Sequence, residues 1–290
     1  MPTEKRQRQK ERAQAERAAR AAAAARARRR RNLILGVVAI VAVFAFAFLY
    51  SSLRSGDDDV EVETPGAPSE TTEPGTGETS EPTEGATPTT IERGEPVEPE
   101  CPPEAGADER VTVFTEAPPM CLDEDSTYEA VFETDAGDIR VELDAENTPE
   151  TVNNFVFLAR WGYYDGTAMF RSNTGIDIIQ GGGPHTQDNS DPGPGYTIDD
   201  EGGPYTYTTG DLVMARTAAP NSASAQFFFS TGPDTQLLND QGTYVVFGRV
   251  VEGLDVLEAI MATHVDTGGS PGEGRPVPLP IVNTVRIVQS

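Results

Sequence analysis

Between Tyr128 and Asp144 the chain reads YEAVFETDAGDIRVELD, with apolar residues at alternate positions on both sides of a turn. Tyr128, Ala130 and Phe132 share one side. After the DAGD turn, Ile139, Val141 and Leu143 share one side, with Arg140, Glu142 and Asp144 opposite. Successive side chains of a strand point to opposite faces, so this period of two predicts a half-buried β-hairpin. A lone hairpin is not stable in water, so more strands or a helix must cover its apolar side. DLVMA (211–215), AQFFFST (225–231), TYVVFGRVV (243–251) and IVNTVRIV (281–288) supply further short strands. Two segments read as helices. In TPETVNNFVFLARWGYY, Thr148 suits the N-cap, Pro149 the first helical position and Glu150 the first turn; Val152, Phe155, Val156 and Ala159 then share a face. GLDVLEAIM forms the second, ahead of the last strand. Many short strands with two helices predict a mainly β domain, an antiparallel barrel or sandwich with helical caps.

Upstream of this domain the composition changes twice. The net charge of the chain is −25, yet the first 31 residues hold 12 Lys and Arg against 3 acids. No charge occurs from Asn32 to Leu53, and residues 33–50 read LILGVVAIVAVFAFAFLY. At 1.5 Å per residue a helix over 32–53 is about 33 Å long, one hydrocarbon core. A signal-peptide apolar region is shorter, about 7–15 residues. Residues 32–53 are therefore expected to be a single-pass transmembrane anchor. RARRRR at 26–31 keeps residues 1–31 cytoplasmic and places everything after the anchor outside the cell membrane. No aromatic residue is interleaved with these basic residues, so a nucleic-acid partner is not expected.

Residues 54–100 are dominated by Pro, Thr, Gly, Ser and Glu and have too few apolar side chains to build a core, which predicts a disordered acidic tether. Its coil span is about 37 Å. The folded domain is then expected over 101–290. It opens with the only two cysteines of the chain, Cys101 and Cys121. Outside the membrane these are free to pair. With His185 and His264 they lack metal-ligand spacing, so no metal site is expected. Nor do Ser, His, Asp and Cys residues suggest a hydrolytic set, and no cofactor motif is present: QGGGP at 180–184 lacks the following helix of a phosphate loop.

Only 7% of the residues are aromatic, yet Phe227, Phe228 and Phe229 are consecutive, behind Gln226. In a strand, Gln226, Phe228 and Ser230 point one way and Ala225, Phe227 and Phe229 the other. Both faces must then be covered. A buried amide needs partners, so the Gln226–Phe228 face suits the wall of a binding groove.

The same residues carry a resemblance. LVMARTAAPNSASAQFFFSTG (212–232) resembles the signature of the cyclophilin-type peptidyl-prolyl isomerases. YYDGTAMFRSNTGIDIIQGGGP (163–184), PGYTIDDE (194–201) and TYVVFGRVVEGLDVLEAI (243–260) resemble further family segments, in order, so the likeness covers about residues 126–289. It implies a closed eight-stranded antiparallel barrel capped by two helices, acting without cofactor on Pro-containing polypeptides. Carried over, Arg171 matches the catalytic Arg and Gln180 the Gln before the glycines. Ala215 and Arg216 match a strand-end pair whose backbone holds substrate. Ile178, Gln226, Phe228, Leu237, Leu238 and Tyr244 match substrate-binding positions. Three departures stand out. Asp177-Ile178 replaces the usual Phe-Met, Leu237 the common Trp, and the Arg-to-Gln spacing is one residue longer. They imply a remodelled pocket wall with a carboxylate beside it, and keep a second reading open: a binding module for Pro-containing segments with little catalysis.

The anchor and its basic flank place the domain outside the membrane. Protease added to intact spheroplasts is expected to remove it; full protection in sealed cells would refute the orientation.

Overall fold

The computed structural model describes residues 90–268 and 270–290. The basic segment 1–31, the anchor 32–53 and residues 54–89 of the tether lie outside the described residues. Among the described residues, no helix is long and apolar enough to cross a membrane. The chain order is β1 (Tyr128–Thr134), β2 (Gly137–Leu143), helix α1 (Pro149–Arg160), β3 (Thr167–Ala168), β4 (Arg171–Asn173), β5 (Ile178–Gly181), β6 (Asp211–Met214), β7 (Phe227–Ser230), a 3-10 turn (Pro233–Leu238), β8 (Val246–Glu252), α2 (Leu254–Met261), β9 (His264–Asp266), β10 (Glu273–Pro276) and β11 (Ile281–Gln289).

The hairpin forms in the register that its alternation requires, Tyr128 opposite Leu143 and Phe132 opposite Ile139. β11 takes the other side of β1. All strands then join one antiparallel sheet in the order β3-β11-β1-β2-β8-β6-β7-β5-β4-β10-β9. β3 and β4 are far apart in this order, yet only Met169 and Phe170 separate them in sequence. The sheet must therefore roll until its β3 margin reaches β5. The contact is close: a Cβ at Gly181 would lie 3.1 Å from the Ala168 carbonyl oxygen. The expected eight-stranded closed barrel is corrected to a rolled sheet of eleven strands. Strands β3, β4, β9 and β10 have two to four residues, too short for a period to be read from sequence.

Phe132 sits at the centre of the core, with ring centroids 5.8 Å from Phe155, 5.3 Å from Phe227 and 5.2 Å from Phe229. Phe227 and Phe229 thus point inward under α1, as the alternation predicts. Phe228 belongs to a separate apolar cluster with Ile178, Tyr207 and Val213 on the opposite face.

Helix α1 departs from its amphipathic reading. Every residue from Thr151 to Arg160 is buried. The face that the period leaves for solvent is covered by residues 91–121. Asn153 donates Nδ2–H to the Pro119 carbonyl (2.9 Å) and accepts the Cys121 N–H (2.7 Å). Phe114 packs on Phe157 at 4.8 Å. Nor does Thr148 cap the helix through its side chain, since its hydroxyl donates backwards to the Asp144 carbonyl. The carboxylate of Glu201 takes that place, accepting the Glu150 and Thr151 N–H groups at 3.0 and 2.6 Å. A negative charge at a helix N-terminus satisfies open donors and complements the helix dipole.

The same extension corrects the tether boundary. Residues 91–100 belong to the folded unit: Ile91 N–H donates to the Pro184 carbonyl, Val97 bridges Phe114, and the Glu100 carbonyl accepts the Trp161 indole N–H. Their Pro and Glu content suggests a coil, but the apolar surface of the domain supplies what the segment lacks. A disulfide joins Cys101 to Cys121, with Cα atoms 5.5 Å apart. Neither cysteine of the unreduced protein is expected to react with a thiol reagent in denaturant. Replacing both by Ser is expected to lower unfolding free energy by about 2–4 kcal/mol in urea titrations, because the cross-link restricts the unfolded chain.

Candidate active site

Four strands of the sheet form a row on their outer face. Arg171 on β4 pairs with Gln180 on β5, Gln180 with Phe228 on β7, and Phe228 with Val213 on β6. Directly opposed residues of antiparallel strands present their side chains on the same face. The register therefore places a guanidinium, an amide, an aromatic ring and an aliphatic side chain in one line. Ile178 and Gln226 are two residues before Gln180 and Phe228 and flank the line on that face. Arg171, Gln180, Phe228, Ile178 and Gln226 line an open groove of about 450 Å³.

The polar end is fully connected. Arg171 donates Nη1–H to Gln180 Oε1 at 2.7 Å. Gln180 in turn donates Nε2–H to Gln226 Oε1 at 2.8 Å and to Asn189 Oδ1 at 3.1 Å. Gln226 continues to the Asp188 carbonyl. This satisfies the buried Gln180 amide and fixes its orientation, so its oxygen faces the guanidinium. On its other side Arg171 meets Glu273 of β10 in a two-pronged ion pair through Nε and Nη2.

The apolar end is a pocket floored by Phe228 and Ile178, which pack on Val213, with Leu238, Tyr244 and Ile176 packed around them. Tyr207 fixes one wall. Its hydroxyl accepts the Tyr244 N–H at 2.9 Å and donates to the Tyr244 carbonyl at 3.1 Å. Burial pushes the Tyr207 phenol up to about 12, so it remains a neutral donor throughout the physiological range. The Tyr244 ring stands across Phe228 at 5.9 Å and carries the Arg216 guanidinium 5.4 Å above it.

Of the residues singled out from sequence, Arg171, Ile178, Gln180, Ala215, Arg216, Gln226, Phe228, Leu238 and Tyr244 all line this groove. Leu237 does not. It is 61% exposed on the 3-10 turn, and of the two leucines only Leu238 lines the cavity. Asp177 also departs from expectation. The extra residue between Arg171 and Gln180 is absorbed by a turn in which Asp177 takes a φ of 49°. Its carboxylate then faces the 3-10 turn, accepting the Asp234 N–H at 2.8 Å, and adds no charge to the groove. Arg216 is a structural side chain: it binds the Thr217, Ala219 and Thr243 carbonyls and pairs with Asp200 at 3.5 Å.

Sequence reasoning missed Asn189, Asp191, Thr217, Ser222 and Ser224, which complete the lining, and Glu273 behind it. Asn189 and Asp191 lie in a Gly- and Pro-rich loop without period. Ser222 and Ser224 stand inside the signature segment, the one available signal. Among the described residues, no three His, Cys, Asp or Glu side chains gather as a metal set.

The rolled antiparallel sheet thus carries a charged donor aligned beside an apolar pocket. Residues 130–286 match the family described as cyclophilin type peptidyl-prolyl cis-trans isomerase/CLD. The chain is 39% identical over 163 residues to a peptidyl-prolyl cis-trans isomerase of Streptomyces antibioticus, spanning 53% of this chain and 95% of that protein. It is 41% identical over 123 residues to peptidyl-prolyl cis-trans isomerase B of Bacillus subtilis, spanning 42% of this chain and 81% of that one. A crystal structure of a cyclophilin type isomerase from Cryptosporidium parvum aligns with a TM-score of 0.48 at 29% identity, over 56% of this chain and 98% of that one. The chain belongs to the cyclophilin-type peptidyl-prolyl cis-trans isomerase family and is an enzyme of that class.

Tyr207→Phe removes the group that satisfies both backbone atoms of Tyr244. It is expected to lower stability by about 1–3 kcal/mol in urea titrations. It should also raise KM for a Pro peptide, because the pocket wall loses its fixed position.

Proposed function

We propose that the protein accelerates X-Pro bond rotation in exported polypeptides, with Arg171 as the catalytic donor, Gln180 as its partner and the Phe228 pocket as the seat of the proline ring. The row Arg171–Gln180–Phe228 carries this reading, because it sets a fixed charged donor next to a pocket of apolar side chains. Rotation about the tertiary amide breaks resonance and meets a barrier of about 18–20 kcal/mol. At the twisted transition state the imide nitrogen becomes pyramidal and its lone pair localises. A donor aimed at that lone pair binds the twisted form better than either planar isomer, and only such differential binding raises the rate. Guanidinium suits the task, being permanently charged and rigid. No nucleophile, base or proton transfer is needed.

The pocket side holds the ring while the acyl side turns. Phe228, Ile178, Val213 and Leu238 exclude water around it, which strengthens the hydrogen bond from Arg171. Ala215 and Arg216, at the end of β6, flank the groove where the substrate backbone would run. A 10⁵-fold acceleration needs about 7 kcal/mol, within reach of an oriented charge-assisted hydrogen bond and a dry pocket. The outward turn of the Asp177 carboxylate removes the main chemical reason for a binding-only reading. An extracytoplasmic site is supported by the charge-free run 32–53 and by the Cys101–Cys121 bond, which suits an oxidising compartment.

In a protease-coupled assay on a Pro peptide, Arg171→Ala is expected to lower kcat/KM by about 10²–10³, the scale seen on removing an electrostatic donor. Arg171→Lys should recover little of it, since a point charge lacks the planar fork. Near-wild-type activity of Arg171→Ala in a folded variant would refute the assignment.

A further inference from the structure

Glu273 lies outside every segment that resembles the family's site, yet it touches the proposed catalytic side chain. β10 pairs with β4, Glu273 opposite Asn173 and Gly274 opposite Ser172. The carboxylate takes Arg171 Nε–H on one oxygen; on the other it takes Nη2–H at 2.8 Å and Asn173 Nδ2–H at 2.7 Å. Both charged side chains are about three-quarters sheltered, with exposures of 22% for Arg171 and 27% for Glu273.

Two glycines place Glu273. Gly272 has a φ of +79°, and a Cβ there would lie 2.6 Å from the Gly175 backbone nitrogen. A Cβ at Gly274 would run into the Val265 carbonyl oxygen. The backbone on either side of Glu273 therefore approaches its neighbours as only glycine permits.

We propose that Glu273 is a positioning residue for the isomerase reaction: it clamps the Nε–Nη2 edge of Arg171, so that the guanidinium presents its Nη1 end to Gln180 and the substrate amide. The inference rests on the reading of Arg171 as the catalytic donor. Planar guanidinium and carboxylate match edge to edge, so two parallel bonds fix the rotation of the donor plane as well as its position. Gln180 alone makes a single bond to Arg171 and leaves that plane free to swing. A free Arg loses rotamer entropy on reaching the transition-state geometry, and a clamped one has lost it beforehand.

The charge state supports the clamp. Burial pushes the Glu273 carboxyl up, but the hydrogen bonds and charge of Arg171 outweigh it, with help from Asn173 and His264, and hold it below the ordinary glutamate value. A lowered carboxyl keeps the ion pair above that value and loses it only as pH falls through it, so the clamp is intact at neutral pH. Arg171 and His264, itself beside Asp266, are the charged or titratable groups that face the carboxylate.

The test is a double-mutant cycle in the protease-coupled assay with the full chain: wild type, Glu273→Gln, Arg171→Ala and the double variant. Glu273→Gln keeps the shape and removes the charge. It is expected to lower kcat/KM about tenfold, chiefly through kcat, because the clamp acts on the donor and not on the proline pocket. In the Arg171→Ala background the same change is expected to have no effect. Glu273→Asp, which keeps the charge but shortens the reach, should recover part of the loss. Unchanged or faster catalysis by Glu273→Gln overturns the proposal, as does a tenfold loss that persists without Arg171. Retained activity of Arg171→Ala would instead sink the catalytic reading on which it rests. Melting curves of each variant separate loss of fold, since a purely structural Glu273 would lower Tm and leave kcat per folded molecule unchanged.

Discussion

The cross-strand register of β4, β5, β7 and β6 is the constraint on which the site depends. It sets Arg171, Gln180, Phe228 and Val213 in a row, although these residues are spread over more than fifty positions of sequence. A slip of one residue on any strand would turn its side chain into the core. What holds the register is the inward face: Phe227 and Phe229 lock against Phe132 between the neighbouring strands. The three consecutive Phe residues are thus one device. Two pin the strand from below and the third forms the floor of the groove above.

The polar and apolar halves of the groove follow different rules. The apolar half is built from side chains of the sheet itself, closed by Tyr244, which Tyr207 holds by both backbone atoms. The polar half is a chain of hydrogen bonds running from Glu273 through Arg171 and Gln180 to Gln226, in which every member orients the next. In a partly buried site a chain of this kind fixes direction better than packing does, because each donor has few alternatives.

Around this centre lies a covering from outside the family match. The family match begins at residue 130, while the folded unit includes the segment from residue 91. That segment crosses α1 and reaches the loop 183–196, where Phe114 N–H donates to the Pro194 carbonyl and His185 binds Ile91. The same loop supplies Asn189 and Asp191 to the groove. A disulfide-linked extension therefore supports one side of the site from behind.

Sequence by itself determined the hairpin, the two helices, the strand faces and most of the groove. Local periods of two and 3.6 residues reach the eye directly, and the resemblance of the ordered motifs to the cyclophilin type implies Arg171, Gln180, Gln226 and Phe228 one by one. What it could not give is whatever depends on a distant partner. The burial of both faces of α1, the Glu201 cap in place of Thr148, and the short strands β3, β4, β9 and β10 all arise from contacts across the fold. Leu237 and Leu238 are indistinguishable as neighbouring apolar residues; the 3-10 turn sends one to solvent and one to the pocket. The direction of the Asp177 carboxylate followed from a single left-handed residue. Glu273 stands a hundred residues from Arg171 in an unpatterned Gly-rich turn, and only the pairing of β10 with β4 brings its charge to the guanidinium. Local chemistry is written in the order of residues, whereas the meeting of charges is set by how the sheet rolls.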